Sequence, residues 1–280
     1  MPELTLFGYN VVYNLLSLTV ATMAAATVFF FISPRVNPKY RPAMIVTGLV
    51  TFIAFYHYWQ IRDSFGMAYT LDVASNMYVP VEGKPFNDFY RYADWLLTVP
   101  LLMVELIAVM ALPKGEGGKY LKILIPSVIL MIVLGYPGEN AIATGGSAAA
   151  IWGWFIASMI PFLIILAVLF TKLSDAIGKQ PSEVQGLINL ARVTVLITWS
   201  FYPIAYVIGA LGTGGDDATR SAASVVGLQV GYTIADITAK AGFGVIIYMI
   251  ARRKSELEGL VESRPAAAPA TSRPRGSRAT

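Results

Sequence analysis

Cysteine is absent from this chain, so no disulfide can form and no thiolate can serve as nucleophile or metal ligand. The redox compartment therefore leaves no mark on the sequence. Histidine occurs once, at His57, which excludes a histidine-built metal cluster. Charge is scarce too: Asp, Glu, Lys and Arg make up 14% of the residues, against about 25% in soluble domains. Hydrophobic residues reach 56% and the mean hydropathy is positive. The length of 280 residues would suit one or two soluble domains, but this balance is that of a membrane protein.

A helix needs about 20 apolar residues to cross a bilayer core about 30 Å thick. Seven stretches have that character, at 8–32, 43–61, 88–112, 119–136, 147–171, 187–211 and 224–250, the fourth being the shortest. The chain opens "MPELTLFGYN" without the basic flank of a signal peptide, so the first stretch is expected to stay as a span. The linkers are short and carry breakers: "SPRVNPKYRP", "LPKGEGGK", "GYPGENAIATGG" and "GTGGDDATR". Between the second and third spans, "MAYTLDV" and "MYVPVEG" read as two short strands of a hairpin. The expected fold is an all-α bundle of seven transmembrane helices with a short β-hairpin in the second-to-third loop. Residues 1–252 make the membrane domain, and 253–280, rich in Pro, Ala, Ser and Arg, a disordered cytoplasmic tail.

Lys and Arg set the orientation. With the N-terminus outside, the inner ends receive Arg35, Lys39, Arg41, Lys114, Lys119, Lys122, Lys172, Lys179, Arg192 and the basic tail. The outer ends receive only Arg62, Lys84, Arg91 and Arg220. The net charge of +4 then reflects topology in a cell membrane and calls for no nucleic-acid partner; the partner is the lipid bilayer. One base is left over. It is Lys240, near the middle of the last span.

Three acids also lie inside spans, Asp94, Glu105 and Asp236, while Glu139 sits near a span end. Each such group costs at least ~2.5 kcal/mol to insert, so it normally faces the bundle interior and has a function. The plainer reading is a buried ion pair that holds helices together. Lys240 follows Asp236 by one helical turn, on the same face. A lysine buried among apolar groups is a nucleophilic amine that forms Schiff bases with carbonyl compounds, and Asp236 is placed to balance its charge. In "RYADWLLTVPLLMVE", Asp94 and Glu105 are eleven apart, which brings them within about 20° of one helix face and about 16 Å apart along the axis. Thr98 lies one turn after Asp94 and Arg91 one turn before it. Carboxyls graded by depth around a lysine are what a proton relay needs.

With "ADITAK" in the last span, "RYADWLLTVPLL" in the third and "WSFYPIAYVIG" in the sixth, the chain resembles the microbial rhodopsins from about residue 8 to 252. "GYPGE" at 135–139 and "YHY" at 56–58 are similar to the proteorhodopsin and xanthorhodopsin group. The resemblance implies that Lys240 binds all-trans retinal as a protonated Schiff base. It makes Asp94 the counterion and proton acceptor, Asp236 the second counterion, and Glu105 the proton donor. Thr98 completes the Asp–Thr–Glu triplet of outward proton pumps; chloride pumps lack the acid at 94, and sodium pumps carry Asn, Asp and Gln. His57 matches the histidine that partners the counterion. Trp95, Trp199, Tyr202, Pro203 and Tyr206 match pocket positions, and Leu102 matches the position whose leucine form goes with green absorption. On its own, that aromatic stripe beside a proline reads as ordinary packing, and only the lysine adduct makes it a cofactor pocket. Gly153, in "IWGW", matches the glycine that opens a window for a carotenoid antenna in the xanthorhodopsins. Glycine in a membrane helix also simply permits close packing, and both readings stand.

The resemblance implies a light-driven outward proton pump, not an enzyme, and a homo-oligomer, pentamer or trimer. A departure is that no outer glutamate pair matches the proton-release group of the haloarchaeal pumps; Asp216 and Asp217 read as a solvated turn. The principal rival is a retinal-based photosensory receptor without net transport, which would not need Glu105. A light-gated channel would line its spans with more polar residues than these carry. A membrane protein without retinal would resist bleaching by hydroxylamine, and light-induced acidification would separate pump from sensor.

Overall fold

The computed structural model describes residues 1–32, 36–211 and 221–259. Arg35, Asp216, Asp217, Arg220 and the tail from residue 260 onward lie outside the described residues. Among the described residues, seven helical segments are long and apolar enough to span a membrane: Leu6–Ile32, Pro38–Ala68, Phe89–Met110, Glu116–Ile142, Ala148–Gly178, Ser182–Leu211 and Ala222–Leu257. The seven-helix expectation is borne out. In chain order the helices are α1 (Leu6–Ile32), α2 (Arg41–Met67), α3 (Phe89–Met110), α4 (Glu116–Thr144), α5 (Ala148–Ala167) and α6 (Leu173–Gly178), followed by α7 (Ser182–Leu211), α8 (Ala222–Ile237) and α9 (Phe243–Leu257). Two spans are broken by wider, π-type turns, Val168–Lys172 between α5 and α6 and Thr238–Gly242 between α8 and α9.

The spans form a ring in which α1 packs on α2 and α8, α2 on α3, α3 on α4, α4 on α5, and α7 on α9. Small residues set the closest approaches. A Cβ on Gly244 would come within 2.5 Å of Thr47 and 2.6 Å of Phe30, so α9 reaches α1 and α2 only because that position is glycine. The largest apolar core gathers Met103, Leu106, Leu124, Leu169, Ile188 and Phe243 from spans three to seven. α3 is its hub, with its carboxyls, hydroxyl and guanidinium all turned inward.

The fourth span departs from expectation. It was expected to be the shortest, ending near residue 136 with "GYPGENAIATGG" as a linker, yet α4 runs unbroken from Glu116 to Thr144 with Pro126 and Pro137 inside it. Proline is tolerated in a membrane helix because neighbouring helices satisfy what it frees. The true stop is Gly145, whose φ of 72° gives the left-handed cap that favours glycine. At the other end of the chain, α9 continues to Leu257, so the expected boundary between 252 and 253 falls inside a helix.

The hairpin is present. Strand β2 (Tyr69–Asp72) pairs antiparallel with β3 (Met77–Pro80), Tyr69 opposite Pro80 and Asp72 opposite Met77. The Asp72 carboxylate accepts the N–H groups of Ala74 (3.0 Å) and Ser75 (3.3 Å) to close the turn. An unforeseen strand, β1 (Leu4–Thr5), extends the sheet by pairing with β3, Leu4 opposite Tyr78. Two residues are too few to show alternation in sequence. Tyr9 stacks on Tyr78 with ring centroids 3.6 Å apart and secures the arrangement.

Candidate functional site

Lys240 lies in the π-type turn of the last span, a feature that frequently falls at functional sites. Its Nζ donates to Asp94 Oδ2 at 2.5 Å and to Asp236 Oδ2 at 2.8 Å, and all three side chains are buried. The two carboxylates are not equivalent. Asp236 also accepts from Tyr58 OH at 2.8 Å, from Tyr202 OH, and from Trp95 Nε1 at 3.2 and 3.3 Å. Both of its oxygens are engaged by donors from three other helices. Asp94 Oδ1 makes no hydrogen bond among the described residues.

His57 lies beside that oxygen, Nδ1 to Oδ1 at 3.8 Å, but the same nitrogen is 3.0 Å from the Ile53 carbonyl. The contact is therefore proximity without a hydrogen bond, the ring nitrogen being directed to its own helix. Thr98 donates to the backbone carbonyl of Asp94 at 2.8 Å, satisfying the main chain and leaving the carboxyl alone.

Arg91 is buried and carries the part of the network nearest the N-terminal end of α3. It donates through NH1 to Tyr58 OH (3.0 Å), through NH2 to Gln229 Oε1, and through Nε to Asp88 Oδ1 (2.7 Å). Gln229 Nε2 also donates to Asp88 Oδ2 at 3.3 Å. Tyr58 thus links Asp236 to Arg91, and Asp88, whose side chain is 32% exposed, links Arg91 to the surface. With two bases and two acids in the buried set, the charges balance, as an interior of low dielectric demands.

Glu105 lies in the C-terminal half of α3, eleven residues beyond Asp94. It is fully buried, and neither carboxyl oxygen has a hydrogen-bond partner among the described residues. The Thr47 side chain is its nearest polar neighbour, and a buried carboxyl so sparsely served calls for an explanation in function.

Beside Lys240 opens a cavity walled by side chains of the third to seventh spans, mostly apolar with a few polar groups, as small-molecule sites are. Trp95, Leu102, Trp199, Tyr202, Pro203 and Tyr206 all line it. A largely apolar, aromatic cavity with one lysine amine at its wall, paired with two carboxylates, fits an apolar ligand that joins a lysine through a carbonyl carbon. Gly153 is outside this wall, and a Cβ there would meet nothing within 4 Å.

Several residues of the site escaped the sequence reading. Tyr58 was visible only as part of "YHY", and Asp88 only as an acid three residues before Arg91. Gln229 carried a stronger signal: Gln229, Thr233, Asp236 and Lys240 repeat at helical spacing, a polar stripe in an apolar span. Glu139 was noted for its position, but its partners, Tyr92 and Tyr232, were not.

A membrane bundle of seven helices, with a buried lysine clamped by two carboxylates at the mouth of an aromatic cavity, defines a class of multi-pass membrane protein with an internal ligand cavity. The chain belongs to the bacteriorhodopsin-like protein family, which matches residues 11–254. It is 32% identical over 241 residues to a green-light absorbing proteorhodopsin of Gamma-proteobacterium EBAC31A08, covering 85% of each chain. Among solved structures it is similar to xanthorhodopsin, described as a light-driven ion pump with dual chromophore, at 50% identity and a TM-score of 0.84 over 92% of this chain and 99% of that one. A thermophilic rhodopsin is similar at 44% identity, with a TM-score of 0.85 over 92% of this chain and 99% of that one. The resemblance read from the motifs is thereby borne out.

Proposed function

We propose that this protein is a light-driven outward proton pump with all-trans retinal held at Lys240. The observation that carries the reading is the ordering along α3: Asp94 bonded to Lys240 Nζ at 2.5 Å, and Glu105, buried with no hydrogen bond among the described residues, eleven residues further along the same stripe. Retinal joined to Lys240 supplies the absorption of light and the change of shape that follows it. The chain's own groups then direct the proton. Asp94 Oδ2 takes the proton from Lys240 Nζ, because it lies in direct contact and its other oxygen has acceptor capacity to spare. Asp236, saturated by Tyr58, Tyr202 and Trp95, keeps its charge and holds the nitrogen in register. Arg91 balances that charge on the outer side. Glu105 returns a proton to Nζ from the inner side, its packing excluding water until the bundle opens. Trp95, Leu102, Trp199, Tyr202, Pro203 and Tyr206 hold the ligand.

The proteorhodopsin and xanthorhodopsin relatives favour the same activity. The sensor reading is disfavoured by Glu105, a buried donor that a receptor does not require. The open space at Gly153 favours a carotenoid antenna as an addition to this reading, consistent with the dual chromophore of xanthorhodopsin. The N-terminus is taken to lie outside and the C-terminus in the cytoplasm, with the protomers associating as pentamers or trimers. The deciding experiment records external pH in a weakly buffered suspension of cells making the protein with retinal, under green light. Acidification abolished by a protonophore supports the proposal. A pigment that leaves the pH unchanged points to a sensor, and the absence of pigment would mean that the Lys240 assignment is wrong.

A further inference from the structure

We infer that Lys254 fastens the end of the bundle through which Glu105 regains its proton, and that its hydrogen bonds limit how fast this happens. The inference rests on the pump reading above. In that reading Glu105 gives up a proton at every turnover and must be recharged from the medium beyond the C-terminal end of α3. Glu105 is fully buried, and the helix ends five residues later at Met110. Leu106, Ile107 and Met110 of α3 belong to one apolar core with Ile247 and Ile250 of α9, all of them buried. Carrying a charge across such a layer without hydrogen bonds is costly, so the layer must part for recharging.

Lys254 ties the edges of this layer. It lies on the buried face of α9, one turn beyond Ile250. A lysine at the end of a span ordinarily reaches for water, yet Lys254 is 5% exposed and turned into the protein. Its Nζ donates to the carbonyls of Val109 (3.2 Å) and Met110 (2.7 Å), which the end of α3 leaves without helical partners. It also donates to Gln180 Oε1 at 2.8 Å, in the segment between α6 and α7. Three acceptors match the three donors of a lysine head group. The Tyr40 ring covers it, centroid 4.9 Å from Nζ, and the Tyr40 hydroxyl donates to Glu258 at 2.6 Å. One side chain thus joins the third and seventh spans to the entry of the sixth.

Capping alone does not account for a lysine here. Carbonyls at a helix end near the membrane surface can be served by water, whereas burying an amine costs free energy. The bond to Gln180 serves no helix end; it spans the gap between α9 and the segment that leads into α7. A few hydrogen bonds are strong enough to hold such a gap closed and weak enough to let it open locally.

The test follows flash-induced absorption changes together with a pH-indicator dye, on full-length protein assembled with all-trans retinal. Wild type, Lys254→Met, Lys254→Arg and Gln180→Leu are compared. Proton uptake in Lys254→Met should be about tenfold faster, equivalent to about 1.4 kcal/mol taken from the closed state, the scale of one buried hydrogen bond. Gln180→Leu removes a bond but no charge and should accelerate uptake as well. Lys254→Arg keeps the charge and the donors and should stay near the wild-type rate. In the dark, the amide hydrogens of residues 106–110 should exchange faster in Lys254→Met and Gln180→Leu than in the wild type. Uptake no faster than wild type, or unchanged exchange, in both variants overturns the inference. Acceleration in Lys254→Met alone overturns it too, since the lost charge would then be the cause. Should Lys254→Met not accumulate as a pigment, Gln180→Leu decides by the same criteria. A wild type that forms a pigment but moves no protons would instead sink the pump reading, so the two failures are distinct.

Discussion

Asp94 and Asp236 are the same kind of carboxyl on the same lysine, and their surroundings give them different work. Asp236 is engaged by Tyr58, Tyr202, Trp95 and Lys240, whereas Asp94 has Lys240 alone and a neighbouring His57. Asp94→Asn should therefore leave a folded pigment that moves no protons, as read by external pH under light. Asp236→Asn should instead lower the thermal stability of the pigment. It leaves buried donors poorly matched, at about 1–3 kcal/mol for each one left unsatisfied. Followed by the temperature at which the visible band is lost, Asp236→Asn should bleach well below Asp94→Asn; equal bleaching temperatures would contradict the division of roles. Glu105→Gln removes the donor on the inner side. The return of the proton to Lys240 should slow by roughly 10²-fold or more, the scale of a positioned general acid, and flash absorption kinetics would record it. At this scale the sequence was legible wherever chemistry lies within one helix. Lys240 with Asp236, and Asp94 with Glu105, could be read from spacing alone. Tyr58 with Asp236, Arg91 with Gln229 and Tyr92 with Glu139 could not, because each joins helices distant in sequence and is selected by packing.

The helices show where local rules are overridden. "GYPGEN" contains residues that stop helices in water, yet α4 passes through them, since a membrane offers its backbone no water to turn toward. Gly138 has a packing reason to be glycine: a Cβ there would sit 2.1 Å from Tyr206 OH, which donates to the Ile151 carbonyl at 2.7 Å. At the inner end of α9, Lys254 is buried and donates to the carbonyls of Val109 (3.2 Å) and Met110 (2.7 Å) and to Gln180 Oε1 (2.8 Å). It caps the last turn of α3, just beyond Glu105, where carbonyls lack intrahelical partners. Lys254→Met should cost about 1–3 kcal/mol through those orphaned carbonyls, seen as a lower bleaching temperature at unchanged absorption maximum. One turn on, Glu258 accepts from Lys39 (2.6 Å), Tyr40 OH (2.6 Å) and Asn37 Nδ2 (2.8 Å), tying the end of the seventh span to the first loop. Burial works against its charge, but the bonds from Lys39, Tyr40 and Asn37 outweigh that and hold its carboxyl below the usual glutamate value. A depressed carboxyl stabilises the fold above its unfolded pKa of about 4.3, and that contribution is lost as pH falls through the folded value. The wild type should therefore exceed Glu258→Gln in stability at neutral pH and converge with it below about pH 4, as paired thermal melts would show.

For the whole molecule, the direction of transport depends on which face of the membrane each end of α3 meets. The described residues place Lys39, Arg41, Lys114, Lys119, Lys122, Lys172 and Lys179 near one face, and Arg62, Lys84 and Arg91 near the other. In the proposed orientation the basic side faces inward, the side that a bias of this size favours as a chain inserts. Hairpin, β1 and Asp88 then belong to the outer face, and Lys254 and Glu258 to the inner one. In that proposed orientation Asp94 would face outward through Arg91 and Asp88, and Glu105 would lie toward the cytoplasm. The same bundle inverted would pump inward with every internal distance unchanged, so charge on the loops is as much a part of vectoriality as the carboxyls. A protease supplied outside intact cells should leave an epitope at the C-terminus uncut and remove it once the cells are opened, while the same cells acidify their medium in light. An epitope cut in intact cells together with acidification would reverse the roles of Asp94 and Glu105. An epitope cut together with alkalinisation would keep those roles and show instead that the loop charges do not set the orientation.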